Sequence, residues 1–270
     1  MVGVCTALAL QGGADPLTVV TIRTLATIAL FLIYFRIARV SLAMTPRERV
    51  IAHAIGLPLC INNYCLNAAI ELIPVPLAVL IFYLWPAITT FASWLLGKDR
   101  FRWPRLLGLL AAFSGVALAL NVDSSAAQAK GVWLALASAL AWSAVFMLAG
   151  HFFHGRDTRP ATLRMAITAG TVFVAASVIS RDFVLPLSAA GWSGLLGVPF
   201  FYAFGMIGVF LASVRLGAMR TGFFMNFEPI AAVLLSALIL GQTLQPIQLA
   251  GAALVIGALF LFRPPPQLPH

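Results

Sequence analysis

Apolar runs long enough to cross a lipid bilayer recur along this chain from one end to the other. A helix rises 1.5 Å per residue, so about 20 mostly apolar residues cover a hydrocarbon layer ~30 Å thick. Inside that layer every backbone N–H and C=O needs a protein partner, which only helices and closed barrels supply. A barrel would read as short stretches of alternating polarity, whereas these runs are continuous and rich in Leu and Ala. Charged residues make up 9% of the chain against 61% hydrophobic, where a soluble domain carries about a quarter charged. The deficit is spread over the whole length. The chain therefore reads as an all-α integral membrane protein, not a soluble domain with one anchor.

Pro, Gly and charge divide the chain into ten segments. Spans are expected near 1–11, 16–36, 49–70, 75–96, 104–121, 131–151, 161–180, 190–212, 218–240 and 246–262. The first is short, about 11 residues where about 20 are needed. Its start, "MVGVCTALALQGG", lacks the basic stretch of a secretory signal. It reads as the remnant of a first helix, either truncated or unable to span alone. The connections are short and leave no room for a soluble domain, so any chemistry belongs inside the helix bundle or at its two mouths.

Lys and Arg accumulate in cytoplasmic loops. Taken alternately, one set of connections and span ends carries 14 of them and the other only Lys130 and Arg181, with Arg23 left inside a span. Both termini are therefore expected on the cytoplasmic side. The same asymmetry accounts for the net charge of +9, so no nucleic-acid partner is called for.

Sliding the chain by 143 residues brings "FYLWPAITTFASWLL" onto "MNFEPIAAVLLSALI", with Pro86 over Pro229, Ser93 over Ser236 and, further on, Gly108 over Gly251. At an offset of 141, "TIRTLAT" falls on "TLRMAIT", Arg23 over Arg164. The expected organisation is a first five-helix repeat over 1–121, a linker over 122–130, a second repeat over 131–263 and a cytoplasmic tail over 264–270. Five is odd, so the second copy enters the membrane from the opposite side, an inverted repeat common in secondary transporters.

Over nearly its whole length the chain resembles the drug/metabolite transporter superfamily, specifically the EamA-like family. The resemblance rests on an "aRf"-like arginine in the second helix of each half, Arg23 and Arg164. It rests also on a proline followed by an apolar run toward "LLxGE" in the fourth helix of each half, here "WPAITTFASWLLGK" and "EPIAAVLLSALILGQ". The final Glu of that pattern is Lys98 in one half and Gln242 in the other, and most of the first helix is missing. The stretch "FYLWP" at 82–86 is similar to one in YddG-type aromatic amino-acid exporters. The resemblance implies a multi-pass protein of a bacterial-type inner membrane that exports small organic molecules such as amino acids, amines or drugs.

Candidate residues follow from what is costly in a membrane. Of eight acids, seven lie in connections or at span ends; Glu228 alone sits about ten residues into its span. An ionised carboxylate at that depth should face the interior, be paired, or be protonated. It precedes Pro229, which breaks the ladder and frees the carbonyl of Met225, so a purely structural use would be to repair that kink. Trp85, at the matching place before Pro86, manages without an acid. Arg23 is the obvious partner, but a depth difference of ~8 Å favours its extending to the outer interface instead.

Gly56, Cys60, Asn63 and Asn67 form a small polar stripe on the third span, and Tyr83 occupies in the fourth the place of Asn226 in the ninth. The expected substrate-binding set is Glu228, Asn226, Tyr83, Trp85, Asn63, Asn67, Trp142, Tyr202 and Arg23, polar groups of the kind that orient a ligand in an apolar pocket. The same types also glue helices and mark interfaces. Pro86 and Pro229 are the expected hinges. Gly108, Ala112, Gly115 and Ala119, with Gly251 and Ala258, read as packing surfaces.

Cys5, Cys60 and Cys65 imply no disulfide, and His151 with His154 is too sparse for a metal site, so no metal or cofactor is expected. The leading reading is a secondary transporter working by alternating access, with a small-molecule substrate, the lipid bilayer and a coupling proton as partners. The rival is a membrane enzyme acting on a lipid or polyprenyl substrate, which would want an acid or histidine cluster that these loops lack. A channel would not need two kinked copies. No P-loop supports a primary pump.

Overall fold

The computed structural model describes residues 1–97, 103–120, 126–153, 155–181, 183–216, 227–242 and 245–261. Among these there are eleven α-helices and no strand. They are α1 (Val2–Gln11), α2 (Pro16–Ile37), α3 (Pro46–Leu72), α4 (Val75–Phe82), α5 (Trp85–Leu95) and α6 (Trp103–Leu120). There follow α7 (Ala126–Phe152), α8 (Arg159–Ser180), α9 (Ala189–Leu216), α10 (Glu228–Leu240) and α11 (Pro246–Leu261).

Helix starts follow local chemistry. Proline stands in the first turn of α2, α3, α4, α5, α8 and α10, where its missing N–H costs nothing. Asp15 caps α2 by accepting from the Thr18 N–H, and Thr45 with Glu48 forms a capping box on α3. Glu48 also meets Arg156 in an ion pair that ties the start of α3 to the turn before α8.

Two boundaries differ from the sequence expectation, and a third span falls partly outside the described residues. The span expected at 75–96 is two helices, because the chain turns at Tyr83 and Leu84 before Pro86 restarts it. α7 begins at Ala126, inside the stretch expected to be linker, since its alanines and glutamine favour a helix over a loop. The span expected at 218–240 is described from Phe227 onward, with α10 starting at Glu228; residues 217–226 lie outside the described residues.

Among the described residues, four helices, together with the α4–α5 pair taken through its break, are long and apolar enough to cross a membrane, while Val2–Gln11, Glu228–Leu240 and Leu249–Ala258 are shorter apolar helices. Packing brings α3 onto α7 and α8, and α9 onto α1 and α2. α4 packs on α7 and α10 on α1; α4 also meets α10, α6 meets α11, and α2 meets α8. Lipid tails are as apolar as Leu, so helices associate here by close contact of small residues. A Cβ added at Gly115 of α6 would come within 2.6 Å of the Gly251 carbonyl of α11. One added at Gly56 of α3 would meet Thr168 of α8 at 2.6 Å. The largest buried cluster joins α1, α3, α4, α6, α7 and α11 through Ala7, Ala69, Leu80, Ala112, Ala135 and Val255.

Candidate functional site

The break between α4 and α5 places Tyr83 in a turn rather than on a helix face. Its side chain is 4% exposed, and its hydroxyl donates to Oε2 of Glu228 at 2.6 Å. Glu228 is the first residue of α10 and keeps open surface while its carboxylate is held toward α4. Two helices thus begin alike: α5 at Trp85 before Pro86, α10 at Glu228 before Pro229. A helix N-terminus carries unpaired N–H groups and a partial positive charge, so a carboxylate is at home there.

Aromatic side chains line the neighbouring face of α7. Phe82 lies 6.4 Å from Trp142 and Trp85 4.9 Å from Phe146 between ring centroids. Below them Thr89 and Ser143 share a hydrogen bond of 2.7 Å, and Thr89 also donates to the Trp85 carbonyl. Tyr83, Trp85, Trp142 and Glu228 therefore belong to one neighbourhood built by α4, α5, α7 and α10.

The other expected residues fall elsewhere. Asn67, 2% exposed, receives the Thr6 hydroxyl at Oδ1 and donates from Nδ2 to the Asn63 carbonyl, which joins α3 to α1. Asn63 is buried one turn earlier. Asn226 lies outside the described residues, as does His154. The expectation that Arg23 reaches the outer interface is corrected: the residue is 5% exposed, and its Cζ sits 4.9 Å from the centre of the Tyr202 ring on α9. A cation over an aromatic face gains electrostatic attraction without leaving the bundle. Glu228 engages Tyr83 rather than Arg23.

Residues outside the expected set also matter. Asn62 donates from Nδ2 to both the carbonyl and the hydroxyl of Ser138, fixing α3 to α7; its neighbour Asn63 drew attention instead because it shares a helix stripe with Asn67. Gln242 accepts the Val75 N–H at 3.1 Å, so a side chain two residues past the end of α10 caps α4. A cavity of about 270 Å³ beside it is lined by Gln11, Glu71, Pro74 and Gln242 among others. It lies roughly 20 Å along α10 from Glu228, where α1 and α3 end and α4 begins.

Against the models of known families, residues 1–121 and 129–263 match the EamA-like transporter family. The chain belongs to that family. This is the membership that the paired arginines and paired proline segments imply, and it carries the all-helical, ten-span membrane fold with it. Among curated proteins, the threonine/homoserine exporter RhtA of Escherichia coli K12 is 30% identical over 204 residues, 73% of this chain and 65% of that protein. The chain thus spans a little under two thirds of that relative's length in the match. RhtA of Salmonella typhimurium SL1344 is 29% identical over 75% of this chain and 67% of its own. A solved crystal structure at 20% identity superposes with a TM-score of 0.61 over 96% of this chain and 93% of that one, a likeness of fold.

Proposed function

We propose that this member of the EamA-like family is a secondary transporter, not an enzyme, that exports a small amine-bearing metabolite of amino-acid size across the inner membrane. The observation that carries the reading is the 2.6 Å bond from buried Tyr83 to Glu228, made where the break before α5 meets the first turn of α10. A carboxylate that keeps open surface while one oxygen is held by a phenol can receive an ammonium group or a proton on the other. Trp85 and Trp142 supply flat apolar walls beside it, and Pro86 and Pro229 are the hinges. The names of the relatives give the substrate class its first candidates, threonine and homoserine.

Two inverted five-helix copies, meeting after residue 121, would run this site by alternating access. The packing supports that reading. Exchanging first-copy helices for second-copy ones turns the α3–α7 contact into α9–α1, the α3–α8 contact into α9–α2 and the α5–α7 contact into α10–α1, all of which occur. The Gln242 cap on α4 would close the end bearing Gln11 and Pro74, the outward end if Lys and Arg mark the cytoplasm. A coupling proton on Glu228 would tie flux to the pH gradient.

The test is efflux from proteoliposomes loaded with labelled L-threonine or L-homoserine. Protein-dependent efflux that accelerates under a pH gradient is expected. Efflux no faster than from protein-free vesicles, across a panel of amino acids and amines, would overturn the reading.

A further inference from the structure

Arg23 is buried, whereas Lys130 and Arg164, each also early in its helix, are not. It lies in the second turn of α2, 5% exposed, with Cζ 4.9 Å from the Tyr202 ring centre. Its Nη2 is buried without a hydrogen-bond partner. The ring beneath it balances charge but takes no conventional hydrogen bond from the five N–H donors of the guanidinium.

The surrounding hydroxyls do not serve it either. Thr21, Thr24 and Thr27 each donate to a carbonyl of their own helix, Thr27 to that of Arg23 itself. Val19 and Val20 on the same helix are fully buried against α1, α9, α3 and α8, so the α2 surface beside Arg23 looks into the bundle. A buried cation with an unfilled donor is costly to keep. The group that would relieve it is a planar oxyanion accepting from the guanidinium fork, and a carboxylate matches that fork in shape and charge.

We infer that Arg23, held over Tyr202, is the subsite for a carboxylate of the transported solute. This rests on the transporter reading above and adds to it. The solute carries an acid group, and that group is recognised on α2 and α9, away from the Tyr83–Glu228 contact on α4 and α10. Tyr202 positions the guanidinium.

The test compares threonine, homoserine and a set of other amino acids, each as free acid and as carboxamide, by thermal unfolding of the purified protein and by efflux. At least one free acid is expected to bind wild type about tenfold or more tightly than its amide, the scale of a lost charged hydrogen bond. Arg23→Gln should erase that preference and Arg23→Lys should keep part of it. Without ligand, Arg23→Gln should unfold at or above the wild-type temperature, because it removes an unpaired buried cation.

Three results would overturn the inference: no free acid preferred over its amide by wild type, a preference that survives in Arg23→Gln, or a ligand-free Arg23→Gln protein that unfolds well below wild type. Failure of the transport reading looks different. It would be an Arg23-dependent preference in binding with no efflux, whereas efflux with an unaltered acid preference in Arg23→Gln spares transport and sinks the subsite.

Discussion

At the scale of single residues, the Tyr83–Glu228 contact joins two positions 145 apart in sequence. Tyr83→Phe removes the donor and leaves the ring. One hydrogen bond is lost and Glu228 keeps open surface, so the folding cost should be small, about 1 kcal/mol. Transport should suffer more, falling about tenfold or beyond if the phenol fixes the carboxylate for its ligand. Efflux rate beside an unfolding midpoint checks both halves of that expectation. Glu228 could be picked out in the sequence because an acid inside an apolar span has few excuses. Tyr83 could be flagged from the register of the two repeats. Their bond could not, since it depends on a turn that periodicity reads as continuous helix. The placing of Arg23 was missed for a related reason: hydropathy gives depth along a helix, and only the packing of α2 on α9 puts Tyr202 beneath the guanidinium.

At the scale of elements, the fourth span is interrupted where proline makes interruption cheap. Pro86 restarts the chain as α5, and Pro229 stands in the first turn of α10. Pro58 and Pro199, by contrast, lie inside unbroken α3 and α9. Composition alone does not separate these cases, because a neighbouring helix decides whether the freed carbonyl is tolerated. The small-residue faces were easier to read. Gly115 of α6 meets Gly251 of α11 so closely that even a methyl group needs the backbones to part. Gly115→Leu should therefore lower the unfolding midpoint of the purified protein by several degrees, as overpacking costs about 1–3 kcal/mol. An unchanged midpoint would show that α6 and α11 adjust freely.

At the scale of the whole molecule, the ten apolar segments and the all-helical class were legible because membrane helices announce themselves by length and polarity alone. The proposed doubling rests on one offset shared by Pro86 and Pro229 and by Ser93 and Ser236. Which face of each helix meets which partner was not, since α1, α2, α7 and α9 are apolar all round and show no preferred side. Charge makes a separate prediction about orientation. With Lys and Arg crowded into one alternate set of loops, a fluorescent protein fused after His270 should fluoresce in cells and a periplasm-dependent phosphatase fused there should be inactive; the opposite pattern would reverse the assigned sides. The most direct test of the site itself is amino-acid efflux from proteoliposomes at two external pH values for wild type and Glu228→Gln, with unfolding midpoints measured alongside. The expected result is a variant that folds like wild type yet loses at least about tenfold in flux, together with its pH dependence. Undiminished, pH-dependent flux from Glu228→Gln would contradict the account.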